Sequence, residues 1–79
     1  MKLLKTNAKI IDSFIIVSQL TFNNGIYTVE VRLYENSILI DINKLNIADN
    51  YKRAIFIYNI VLYNDIFPAH LKEICEEFI

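Results

Sequence analysis

At 79 residues, the chain is sized for one domain spanning 1–79, near the lower limit for a self-sufficient core. Its hydrophobic content of 54% and mean hydropathy of +0.32 supply apolar material in surplus. A net charge of -1 and a pI near 5.7 argue against a nucleic-acid binder, which carries a basic excess, and against an acidic nucleic-acid mimic.

In chain order, Leu4, Ala8 and Ile11 share a helical face, with Lys2, Lys5 and Lys9 elsewhere, which predicts a short N-terminal helix over residues 1–11. Ser13 to Phe22 reads as a strand. Phe14, Ile16, Leu20 and Phe22 fall on one face, while Ile15 and Val17 make the other face partly apolar. Asn23-Asn24-Gly25 is the strongest local signal, because Asn-Gly accepts positive φ at both central turn positions and so matches the twist of a hairpin. A second strand follows from Ile26 to Tyr34, with Tyr27, Val29, Val31 and Leu33 opposite Thr28, Glu30 and Arg32. After a turn at Glu35-Asn36-Ser37, Ile38, Ile40 and Ile42 alternate with Leu39 and Asp41 in a third strand.

The next segment reads as a long helix, capped by Asn46 and ended near Ile66 by Pro68. At roughly 100° per residue, Tyr51, Ala54, Ile55, Tyr58, Leu62 and Ile66 form one apolar stripe. Phe56, Ile60, Tyr63 and Phe67 form a second stripe roughly 140° away, so the helix is expected to be sandwiched. A last helix begins at Pro68 or Ala69, with Leu71, Ile74, Cys75 and Phe78 on its apolar side, and is expected to cover the second stripe. The predicted fold is therefore α+β: a three-stranded antiparallel meander packed on one face by a long helix, with short N- and C-terminal helices, in the order α-β-β-β-α-α.

Chemistry has little to stand on. His70 and Cys75 are the only histidine and cysteine, and five residues apart on a helix they fall on different faces. No Cys-x-x-Cys or paired histidine offers a metal site, and Asp41, Asn43 and Asp49 match no calcium loop. With one glycine there is no phosphate-cradling loop, so neither a cofactor nor a catalytic residue is assigned. The lone cysteine points to a reducing compartment, and the cytoplasm is the expected location. No apolar run approaches the roughly 18 residues of a membrane helix, and the N-terminal apolar run is broken by Asp12 and Ser13, unlike a signal peptide.

Interaction is the better-supported theme. Tyrosine supplies large contact area at low entropic cost. Tyr34 and Tyr63 are placed outward, Ile57 falls between the two stripes, and Phe56, Ile60 and Phe67 complete the set of candidate interface residues. The expected partner is a protein, either a larger target or a second copy in a homodimer. The alternative is a nucleic-acid-associated factor using the hairpin with Lys44, Lys52 and Arg53, against which stand the interspersed Asp41, Asp49 and Asp65.

With 15 Ile, 9 Asn and only 4 Ala, the usage is that of AT-rich codons, as in a low-GC bacterium, its phage or an archaeal virus. In element order, length and composition the chain resembles small proteins of phages and mobile elements, including anti-CRISPR inhibitors built as helix, three-strand meander and helices. That resemblance implies a non-enzymatic inhibitor or regulator of a larger protein, located in the host-cell cytoplasm. No residue motif supports it, and no functional residue transfers.

Overall fold

A computed structural model describes residues 1–79. Four antiparallel strands run in sequence order across one sheet: β1 (Lys2–Ile11), β2 (Phe14–Asn23), β3 (Ile26–Glu35) and β4 (Ile38–Ala48). Helix α1 (Tyr51–Tyr63), a 3-10 turn (Pro68–His70) and helix α2 (Leu71–Cys75) follow. All the helical segments lie on one face, so the α+β class stands, but with four strands and short helices.

The first correction concerns residues 1–11. They form β1, paired with β2 from Lys2↔Phe22 to Ile11↔Phe14, and not a helix. Three apolar residues at helical spacing also suit a strand with an irregularity, and the register shifts between Leu3 and Lys5. The shift lets both Leu4 and Ile11 pack against the core. Lys9 faces the helices too, donating to the Leu62 carbonyl at 2.8 Å and pairing with Asp65. Pairing with β2 outweighs a weak local helical preference.

Each hairpin turns on two residues. Asn24 (φ 51°) and Gly25 (φ 81°) are both left-handed, as are Asn36 (φ 52°) and Ser37 (φ 67°), while Asp12 (φ 54°) occupies the first turn. Left-handed pairs at the centre of a two-residue loop give the type I′ twist that keeps flanking strands paired.

The third predicted strand extends to Ala48, beyond the expected end at Ile42. Asn46 is therefore a strand residue, and the helix cap is Asn50, whose side chain accepts from the Arg53 amide at 3.0 Å. The expected alternation of Ile38, Ile40 and Ile42 also fails, because the register slips where Leu33↔Asp41 is followed by Tyr34↔Leu39. Ile40 is the bulged residue, Asp41 takes the helix side and Ile42 the open side.

The core sits between β2, β3 and α1. Ile16, Leu20, Val29, Val31 and Leu33 supply the sheet side, and Ala54, Ile57, Tyr58 and Val61 supply the helix side. These four helix positions follow the i, i+3, i+4, i+7 rule and make a single buried stripe, not two. Tyr58 is 1% exposed, and its hydroxyl donates to the Ser18 carbonyl at 2.9 Å. The helix stops at Tyr63, short of the expected Ile66. Asn64 caps it and donates through Nδ2 to the Ile60 carbonyl, and Asp65 turns left-handed (φ 48°). Ile66, Leu71 and Cys75 then close the core from the C-terminal segment.

A Cβ on Gly25 would meet nothing within 4 Å, so any penalty for substitution there is conformational and not steric. Gly25→Val should cost about 1–2 kcal/mol and lower the melting temperature by at least about 4 °C. Ser37→Gly, at an equally left-handed position, should raise it by a few degrees. A thermal melt reads both. A Gly25→Val midpoint within about 1 °C of the parent would overturn the turn assignment.

Candidate protein-interaction surface

With the helices on one face, the other face of the sheet is uncovered. The registers set its side chains in four rows. The first holds Ile10, Ile15, Tyr34 and Leu39, and the second holds Ala8, Val17, Arg32 and Ile42. The third holds Thr6, Gln19, Glu30 and Lys44, and the fourth Leu3, Thr21, Thr28 and Asn46. The face is thus apolar at one end and polar at the other. Ile10 is 76% exposed, Leu39 45% and Ile42 46%, while Ile15, Val17 and Tyr34 are half-buried by their neighbours. A contiguous patch of this kind on a monomer marks an interaction site more often than scattered apolar residues do.

Arg32 is the charge inside the apolar rows. Its Nη2 reaches both Glu30 carboxylate oxygens, at 3.4 and 3.5 Å, and its Nε is buried without a partner. Tyr34, and then Glu30, raise its pKa further above the ordinary arginine value. Glu30 also stands across from Lys44 in the register. At the polar end, Thr28 donates to the Asn46 side chain at 2.8 Å.

The two edges are defended. On β4, the side-chain oxygens of Asp41 and Asn43 accept from the following amides of Ile42 and Lys44, each at 2.9 Å, which engages those donors locally. The bulge at Ile40 further interrupts that edge, while β1 carries Lys2, Lys5 and Lys9 with its own irregularity. Lysines and bulges are the usual guards against edge-to-edge pairing.

The expected interface residues do not form one surface. Tyr34 lies on the open face. Ile57, placed outward by the helical wheel, is 0% exposed in the core, because the buried stripe is rotated toward it. Phe56 is 58% exposed and edge-on to Phe78, with ring centroids 5.9 Å apart, so the C-terminal segment covers only part of the second stripe. Ile60 is half-buried and Tyr63 is 85% exposed. Phe67, beyond the helix, turns onto Phe14 at 5.9 Å. Part of the signal for the open face is present in the sequence as Ile15 and Val17, apolar residues opposite the core parity of β2. It is incomplete without Ala8 and Ile10 of β1, which the helical spacing of Leu4, Ala8 and Ile11 conceals.

Nor are the candidate basic residues brought together. Lys44 lies on the open face, while Lys52 and Arg53 begin α1 on the opposite side of the sheet. Arg53 is committed locally, donating through Nε and Nη2 to the Phe78 carbonyl at 3.3 and 2.9 Å.

Among the groups considered for chemistry, His70 is exposed and 3.6 Å from Glu73. Cys75 is 1% exposed, and burial pushes its thiol from 9.0 up to about 11. No three His, Cys, Asp or Glu side chains are grouped so as to share a metal ion. The depression between β1 and α1, lined by Asn7, Lys9, Val61 and Asp65, has room for about one water at about 10 Å³. No helix is long and apolar enough to cross a membrane. No family model, no curated protein and no solved structure matches the chain.

The Cys75 shift fixes a pH dependence. The folded chain holds the thiol protonated to about pH 11, whereas the unfolded chain releases that proton near 9.0. The stabilisation is fully present below pH 9 and is lost as pH rises toward 11, amounting to about 2–3 kcal/mol. Tyr58, its pKa raised by burial, adds a loss of the same sign at higher pH. Denaturant titrations at pH 8 and 11 should show the decline, and Cys75→Val should remove most of the part below about pH 11.

Proposed function

We propose that this chain is a small non-enzymatic protein-interaction module, an inhibitor or regulator acting on a larger protein, of the type carried by phages and mobile elements. One observation carries the reading: two adjoining rows of apolar side chains stand on an uncovered sheet face whose edges are guarded. A protein with no use for that face would gain by making it polar, as most antiparallel sheets do on their solvent side. Tyr63 and Phe56, exposed on the helix layer, offer a second area of contact. The lone imidazole in solvent and the lone buried thiol do not converge on any groove, which fits binding better than catalysis.

A photo-crosslinking residue in place of Tyr63 should trap a protein from host extract, one in place of Leu39 should trap either such a protein or a second copy of the chain, and one in place of Lys72 on the solvent side of α2 should trap neither. His70→Ala should leave that capture unchanged. Adducts that disappear with nuclease, or the absence of any host-protein adduct from both positions, would overturn the reading.

A further inference from the structure

Resting on that reading, we infer that the open face of the sheet is closed by the same face of a second copy, the two copies related by a two-fold axis parallel to the strands between β2 and β3. Area is the first argument. Four ten-residue strands about 4.8 Å apart, at about 3.4 Å per residue, present about 650 Å² on one face. Pairing two such faces removes about 1,300 Å² in total, within the roughly 1,200–2,000 Å² of stable interfaces. The molecule is a slab of 35 × 26 × 16 Å, so this face is among its largest flat surfaces.

Complementarity is the second argument. The proposed axis lays each row over the same row of the partner copy, with β1 over β4 and β2 over β3. In the first row Ile10 then meets Leu39, and Ile15 meets Tyr34. In the second, small meets large: Ala8 faces Ile42, and Val17 faces the stem of Arg32. In the third, Gln19 faces Glu30 and Thr6 faces Lys44, so no like charges oppose each other. An axis perpendicular to the strands through the centre of the sheet would instead set apolar rows on polar ones. Arg32 enters the interface with its charge already answered by Glu30 at 3.4 Å. The alternative route to a dimer, through a sheet edge, is the one that the lysines, the bulges and the locally engaged amides obstruct.

Self-pairing closes the sheet face and turns both helix layers outward, so the larger partner is met there. Sedimentation of the purified chain at high micromolar concentration should give twice the 9.3 kDa chain mass. Ile42→Lys, and independently Ile10→Lys at a position 76% exposed, should raise the dissociation constant at least about 100-fold with the circular dichroism unchanged. Tyr63→Lys should leave the dimer intact.

A short bis-maleimide reports the axis. Ala8 and the partner copy's Ile42 position face each other about 10 Å apart, whereas two Ala8 positions lie about 18 Å apart. An equimolar mixture of Ala8→Cys and Ile42→Cys proteins should crosslink, and neither alone, while the buried Cys75 stays unreactive. A monomer at high micromolar concentration, a dimer that survives both lysine variants, or equal crosslinking of each variant alone would overturn the inference. Such a result leaves the interaction-module reading standing, since that reading falls only when neither Leu39 nor Tyr63 captures a host protein.

Discussion

Alternation along a paired strand sends successive side chains to opposite faces, and two-residue turns fix that parity from one strand to the next. Here it governs the whole molecule. Once Val29, Val31 and Leu33 face α1, their register partners Leu20, Ser18 and Ile16 must do the same. The intervening residues are committed to the other side whatever their polarity. The chain after Ala48 holds one full helix and a short C-terminal segment, enough to cover one face of the sheet and no more. Apolar residues of the opposite parity, Ile15, Val17 and Ile42, are therefore left outside by geometry.

On the covered side, layers are tied at few points. Tyr58 fills the centre of the core, and its hydroxyl uses a carbonyl of β2, so its bulk and its polar tip are both accommodated. Lys9 reaches from β1 to the end of α1, where the Leu62 carbonyl and Asp65 receive it. Asn43 donates from β4 to the Pro68 carbonyl at 3.2 Å and holds the C-terminal segment over that edge. The edge strands thus add polar ties to the helix layer beside the apolar ones made by Leu4, Ile11 and the buried Ile47, while β2 and β3 are joined to it through apolar burial.

Much of the covered face was legible in the sequence, because β3 alternates cleanly, β2 carries Phe14, Ile16, Leu20 and Phe22 at the same parity, and Asn24-Gly25 marks their turn. The N-terminal strand was not. Leu4, Ala8 and Ile11 sit at helical spacing, and the irregularity at Leu3/Lys5 that makes a strand of them arises only on pairing with β2. The same holds for β4, where the bulge at Ile40 shifts Ile42 to the open side. On α1 the wheel offered two stripes, and the buried one overlaps the first, sharing Ala54 and Tyr58 with it but rotated toward Ile57 and Val61. Packing selected Ala54, Ile57, Tyr58 and Val61, a set that leaves Phe56 and Tyr63 in solvent. Apolar content along a helix does not fix its rotation; the small Ala54 and the satisfied Tyr58 hydroxyl do. The helical spacing in β1 also conceals one strand's share of the open face, since Ala8 and Ile10 become neighbours of Val17 and Ile15 only through strand pairing.

An open face built on edge strands couples binding to folding. Nearly all of β4 from Ile38 to Asn46 is exposed, and β1 commits only Leu4 and Ile11 to the margin of the core. β1 and the part of β4 before Leu45 rest largely on backbone pairing, the arrangement that opens first in local unfolding. A partner seated on the face touches all four strands at once, so it adds apolar contact where the fold supplies least. Binding free energy then appears as stability, growing with the logarithm of partner concentration over its dissociation constant. In a chain close to the size limit for an independent core, the uncovered rows are a means by which the bound state completes the fold.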